Sequence, residues 1–200
     1  MADSLVSHHP DVGPLLSERA QRAKLVEAMV QVVAEKGYEP ATVADVVRAA
    51  RVSRGTFYEL FESKHACFAA ACRLGTEVLE ERVREAVSGV EDWREQLRLG
   101  IRAYLLTLDA EPRFARVYLL ESHAVAAEHD AAIRLFARRY GKTYARSGRP
   151  VPPDDALFVL AAGVAQLACS QVRAGRKAIE IEDAAVGCAL RLVTKEETWT

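Results

Sequence analysis

Ser53-Arg54-Gly55-Thr56, followed closely by Tyr58, gathers two hydroxyls, a guanidinium, a residue with no side chain and a phenol at neighbouring positions. The guanidinium of Arg54 suits a phosphate or a guanine edge. Thr56 suits a base edge or a thymine methyl, and the Tyr58 hydroxyl suits a phosphate. Gly55 lets a backbone come close to another surface. This is the chemistry of holding double-stranded nucleic acid rather than of making or breaking bonds.

Bond-making chemistry has no comparable set of residues. Glu121-Ser122-His123 and Glu128-His129 bring acids beside imidazoles, but neither has the Glu-x-x-His spacing that points both ligands at one metal. No HExxH, phosphate-binding loop or GxSxG is present. The pair His8-His9 has no third ligand nearby. Cys67, Cys72, Cys169 and Cys188 show no CxxC spacing and read as small buried hydrophobes in a reducing compartment, with a thiol sensor as the alternative. The expectation is therefore no enzyme, no catalytic residues, no metal and no cofactor.

The elements that must position Arg54 and Thr56 are helical throughout. Residues 1–16, with Pro10, Gly13 and Pro14, show no periodicity and read as a flexible tail. From Ser17, the apolar residues Leu25, Ala28, Met29, Val32 and Val33 form the stripe of a helix with one buried face, and Gly37 stops it. Thr42 is a good N-cap for a short helix to Ala50, with Asp45 completing a capping box. Arg51-Val52-Ser53 breaks that helix. Ser53 caps a third helix with Phe57, Leu60 and Phe61 inward, and Ser63 caps a long fourth one. Two short helices at about 42–61, joined by a three-residue turn, have the spacing of a helix-turn-helix. After Gly89, helices are expected over 93–109, 112–122, 125–145, 154–174 and 182–193. No strand or repeat is evident, so the fold class is all-α.

Composition agrees with a globular chain: half of the 200 residues are hydrophobic and 28% are charged. Twenty-seven basic and 28 acidic side chains leave a net charge of −1, which excludes a generic basic coat but not a local basic face. No apolar run approaches the roughly 18 residues of a membrane span. The start, MADSLVSHHPDVGPLL, lacks the basic and apolar regions of a signal peptide, so no membrane association and a cytoplasmic location are expected.

The stretch 37–68, GYEPATVADVVRAARVSRGTFYELFESKHACF, resembles the tetracycline-repressor (TetR) family of transcriptional regulators. The resemblance rests on Gly37-Tyr38, Thr42-Val43, Val46, Ala50, Val52-Ser53, Gly55-Thr56-Phe57-Tyr58, Phe61, Ser63-Lys64 and Phe68. It implies an N-terminal three-helix DNA-binding unit, here 17–86, joined by a long helix to a ligand-binding and dimerisation domain, here 87–200. By position, Arg54, Gly55 and Thr56 would enter the major groove, while Thr42, Tyr58 and Lys64 would hold phosphate. Arg51 stands where the family usually has glycine. A left-handed backbone there costs a non-glycine residue roughly 1 kcal/mol, although a nearby phosphate would make the guanidinium useful. Glu59 stands where a basic or aromatic residue is common.

The same resemblance implies a cavity among the helices between 93 and 174, for which Tyr104, Leu105, Leu108, Phe114, Tyr118, Phe136 and Gln166 are the candidates. The small residues Ala161, Ala162, Gly163, Ala165 and Ala168 allow close helix approach, so helices 154–174 and 182–193 suit a homodimer interface. The expected partners are double-stranded operator DNA, a small-molecule effector and a second copy of the chain. The alternative is an all-α dimeric ligand-binding or interaction protein that has lost DNA binding.

Overall fold

The computed structural model describes residues 12–148 and 150–194, and those residues contain helices and turns with no strand. The first unit is α1 (Val12–Lys36), α2 (Val43–Ala50), α3 (Arg54–Leu60) and α4 (Lys64–Ala86). The second is α5 (Trp93–Ala110), α6 (Pro112–Arg116), a π-helical turn (Val117–Glu121), a 3₁₀ turn (Ser122–Val125), α7 (Ala126–Ala145), α8 (Asp154–Arg173), a 3₁₀ turn (Ala178–Ile181) and α9 (Glu182–Thr194).

Three hydroxyl caps set the boundaries of the first unit. Thr42, Ser53 and Ser63 each accept a hydrogen bond from the backbone N–H three residues on, at 3.2, 2.9 and 3.1 Å. Each such cap contributes about 0.5–2 kcal/mol. Leu25, Met29, Val33, Val46, Phe57 and Phe68 form the core they enclose. That core also takes Val117 and Val125 from the second unit.

The larger core lies among α4, α5, α7, α8 and α9, around Leu79, Leu97, Ile101, Leu105, Leu108 and Tyr144. Tyr144 donates its hydroxyl to the Ala189 carbonyl at 2.6 Å. The Asp109 carboxylate accepts from the N–H groups of Ala178 (2.6 Å) and Ile179 (3.0 Å), tying the end of α5 to the start of the second 3₁₀ turn.

Three features differ from the sequence expectation. First, α1 begins at Val12 rather than Ser17, because Pro14 falls in the first helical turn, where its missing N–H leaves no bond unmade. Residues 1–11 of the expected tail lie outside the described residues. Second, the helix expected over 112–122 is α-helical only to Arg116. Val117, Tyr118 and Leu119 are consecutive and all buried, and the wider π turn spreads them between two cores. Third, α8 is long and apolar enough to cross a membrane by length and composition alone, since its charges are confined to Asp154, Asp155 and Arg173. Here one face of it, through Leu157, Leu160, Ala161, Val164 and Ala168, is buried in the larger core.

Candidate nucleic-acid interface and adjoining cavity

The turn between α2 and α3 presents the polar set outward. Thr42, Arg51, Ser53, Arg54 and Gly55 are exposed, and Thr56 is half-buried. Tyr58 is 48% exposed, too open for a core phenol, and packs edge-on against Phe57 while Arg54 lies 5.7 Å over its ring. A side chain added at Gly55 would meet only the Ser53 hydroxyl, at 3.4 Å, so internal packing does not require glycine there.

Arg51 adopts the left-handed conformation (φ 55°, ψ 42°), the only described non-glycine residue at positive φ. Its N–H and that of Val52 bond back to Arg48 and Val47, closing α2 with a Schellman-type cap normally made by glycine. The strained backbone holds Arg51 beside the start of α3. Arg48, fully polar and exposed on the last turn of α2, adds a cation that no motif signalled. Glu59 is exposed and makes no ion pair with a described residue.

Two expected phosphate ligands, the exposed Thr42 and the half-buried Lys64, also hold partners within the protein. Thr42 donates its hydroxyl to Asp45 Oδ2 at 2.7 Å and accepts from the Asp45 N–H. Asp45 is also paired with Lys36 at 2.8 Å; these bonds, that to Lys36 foremost, lower its pKa to about 2. Lys64 donates to the carbonyls of Tyr38 (2.9 Å) and Glu39 (3.3 Å), with its ammonium 4.1 Å over the Tyr38 ring. Rather than reaching outward, it clamps the turn that leads from α1 into α2.

A cavity of about 50 Å³ lies among α4, α5, α7 and α8. Of the sequence candidates, Tyr104, Tyr118 and Phe136 line it. Leu105 and Leu108 are fully buried in the core behind the wall, and Gln166 is exposed on the opposite face of α8. Phe114 stops short of the cavity: it stacks on Tyr118 and fills the space over Gly75, where an added Cβ would come within 2.5 Å of its ring. The wall also includes His129, Arg139, Tyr140, Thr143 and Gln96, which carry no local motif because they converge only through helix packing. Burial raises the phenol pKa of Tyr104, and that of Tyr118 to about 12, so both stay neutral hydrogen-bonding groups. Cys67 and Cys72 are likewise held protonated by burial, at about 12, while Cys188 is exposed.

The cavity wall touches the first unit directly. Tyr118 and Thr76 of α4 share a hydrogen bond of 3.1 Å, and the Glu121 carboxylate accepts the Tyr38 N–H at 3.0 Å. Ser122 bonds to His129 Nδ1 at 3.0 Å, and Glu128 pairs with Arg73. Glu121, Glu128 and His129 are thus spent on helix contacts, His123 is exposed, and the described residues hold no metal-binding cluster.

Comparison with known proteins agrees with this geometry. The profile of "Bacterial regulatory proteins, tetR family" matches residues 25–71, the stretch holding α2, α3 and their caps. The chain is 37% identical over 86 residues to the uncharacterised HTH-type regulator YvdT of Bacillus subtilis, covering 42% of this chain and 44% of that protein. It is 43% identical over 60 residues to the HTH-type repressor DhaR of a Mycobacterium species, covering 30% and 27%. The chain therefore spans less than half the length of these relatives. Among solved structures, FadR of B. subtilis in complex with stearoyl-CoA superposes with a TM-score of 0.74 at 18% identity, over 86% of this chain and 97% of that one. The matched profile covers the outward-facing turn, and the superposition, which takes in both cores, shows that the chain shares the all-α fold of these regulators.

Proposed function

We propose that the chain is a ligand-responsive DNA-binding transcriptional regulator, a repressor that holds a palindromic operator as a homodimer and releases it when a small molecule enters the cavity. The observation that carries this reading is the Tyr118–Thr76 bond, which joins the cavity wall to the helix bearing the DNA-facing unit. In this reading residues 17–86 read DNA, and residues 87–200 bind the effector and dimerise. Arg54, Gly55 and Thr56 enter the major groove. Arg51, Ser53, Tyr58 and the start of α2 at Thr42 lie along phosphates, and Lys64 orients that set through the Tyr38 turn.

One short helix reads only a few base pairs, so a second copy is needed, with its recognition helix about 34–36 Å away. The outer face of α8 supports the pairing: Val159 is 69% exposed, Leu167 is 43% exposed, and nothing lies against Gly163 between them. With α9 beside it, that face suits a helical dimer interface. A protein of this kind works in the cytoplasm, where the DNA is.

Footprinting of the purified protein on genomic fragments tests the proposal. A protected palindrome, lost in Arg54→Ala, is the expected result. A stable dimer that protects no DNA at low salt would instead favour the alternative, a ligand-binding or interaction protein without DNA binding.

A further inference from the structure

Residues 46–58 carry Arg48, Arg51 and Arg54 and no acid, in a chain whose charges otherwise nearly cancel. Asp45 precedes this run, and Glu59 and Glu62 follow it. Both glutamates are exposed and make no ion pair with a described residue. Positive charge is therefore gathered at the end of α2 and the start of α3, and negative charge at the end of α3. A polyanion laid across the unit meets attraction on the first side and repulsion on the second.

Arg48 is the member of the run that no expectation assigned. Its side chain is 77% exposed, and its one ion pair, to Asp45 Oδ1, is loose at 3.5 Å. Asp45 is already engaged more closely, by Lys36 at 2.8 Å on the same oxygen and by the Thr42 hydroxyl at 2.7 Å. The Asp45 charge is thus largely taken up by Lys36, and the Arg48 guanidinium is steered by Asp45 rather than neutralised by it. The Arg48 carbonyl accepts the Arg51 N–H, so the backbone cap places the two arginines side by side.

The surface around Arg48 is low. Ala44 lies one turn earlier on the same face of α2, Ala49 is its neighbour in the chain, and both are exposed. Methyl groups let a rigid surface come close, and between them only Arg48 is long enough to reach a phosphate. In a helix-turn-helix the first helix crosses the DNA backbone while the second enters the groove. Thr42 and Lys64, the phosphate ligands expected at the starts of α2 and α4, both hold partners within the protein.

We propose that Arg48 is a DNA-backbone contact, its guanidinium taking a phosphate of the strand that flanks the groove entered by α3, with Asp45 orienting it from behind. It supplies the anchoring expected of Lys64, and it fixes the position of α3 without reading sequence. The inference rests on the DNA-binding reading above and adds a residue and its role. A cation on the last turn of a helix also complements the helix dipole. A purely structural Arg48 would change folding stability and leave the salt dependence of DNA binding alone.

The test is fluorescence anisotropy of the full-length protein over a range of salt, on the duplex protected in footprinting and on a duplex of scrambled sequence. Arg48→Gln is expected to weaken binding to both by a similar factor, roughly five- to tenfold per protomer near 0.1 M salt. The slope of log K against log salt is expected to fall by about 0.9 per protomer. Arg48→Lys should restore most of the slope and less of the affinity, because it keeps the charge and loses the planar fork. Thermal melting of both variants establishes that they are folded. An unaltered slope in Arg48→Gln, or a preference lost at one base pair in place of a uniform loss, would overturn the proposal and leave the DNA-binding reading in force. Wild-type protein that binds neither duplex at low salt would overturn both.

Discussion

The hydroxyl of Tyr118 lies 3.1 Å from that of Thr76, so a residue of the cavity wall and a residue of α4, the helix that follows the helix-turn-helix, form one hydrogen-bonded pair. Both residues belong to packed helices, and a ligand that displaces the ring must break the bond or carry α4 along. Linkage then sets the scale: a coupling of about 1–3 kcal/mol gives roughly 5–150-fold release of operator.

Tyr118→Phe keeps the ring and removes the bond, which contributes about 0.5–1.5 kcal/mol. Operator affinity without effector is expected to stay within about twofold, while release by a saturating effector weakens several-fold. Titrations of operator with and without effector in wild type, Tyr118→Phe, Thr76→Val and the double variant measure this. Additive effects of the two single changes would remove the pair from the coupling.

Gly75→Ala tests the close approach of α4 to the π-helical segment. The new methyl would meet the Phe114 ring at 2.5 Å and Tyr118 at 3.2 Å. A loss of about 1–3 kcal/mol in stability is expected from overpacking. Adding Phe114→Leu should restore much of it, because the clash is with the far end of that ring. Chemical denaturation of the three proteins gives the answer, and no rescue would mean that the strain is taken up elsewhere.

Arg51→Gly should move stability and DNA binding in opposite directions. Glycine relieves the left-handed backbone at Arg51, a gain of roughly 1 kcal/mol less the greater freedom of the unfolded chain. If the guanidinium meets phosphate, operator affinity falls and the slope of log K against log salt drops by about 0.9. A raised melting temperature with an unchanged salt slope would take Arg51 out of the interface.

Acid should weaken the start of α2 within a defined window. The bonds from Lys36 and Thr42 lower the Asp45 pKa to about 2. A carboxylate lowered in the folded state contributes stability fully above its unfolded value of about 4, and loses it as the pH falls toward 2. Asp45→Asn should therefore be less stable than wild type at neutral pH, and the difference should shrink between about pH 4 and 2. A constant difference across that range would mean that the carboxylate's charge plays no part.

Thiol chemistry should separate the cysteines. Burial holds Cys67 and Cys72 protonated, whereas Cys188 is exposed on α9. Iodoacetamide at neutral pH is expected to label Cys188 first in the native protein, more slowly as concentration drives dimer formation. Mass spectrometry of the labelled peptides reads both effects.

Much of the helix-turn-helix unit was legible in the sequence because its signals are local. The hydroxyls of Thr42, Ser53 and Ser63 act on amides three residues away, and the left-handed Arg51 stands where the resemblance has glycine. The roles of Thr42 and Lys64 were less legible, since their partners Lys36 and Tyr38 become neighbours only when α1 packs against α2 and α4. The π turn at 117–121 leaves no mark because the apolar pattern runs on through it. Phe114 and Gln166 were assigned to the cavity on residue type, but crossing angles decide which face of each helix points inward. His129, Tyr140 and Arg139 of α7 enter the site by that route.

Val117, Val125 and Glu121 complete the first unit from more than thirty positions beyond the end of α4. The reading head is consequently not a transplantable part. A chimera joining residues up to Ala86 to another regulator's effector domain would leave two apolar sites unfilled and the Tyr38 N–H without its acceptor. A graft that brings its own 117–125 segment, matched to the α1–α4 surface, would keep the seam closed, so the natural cut for building hybrid regulators runs through three dimensions rather than at a point along the chain.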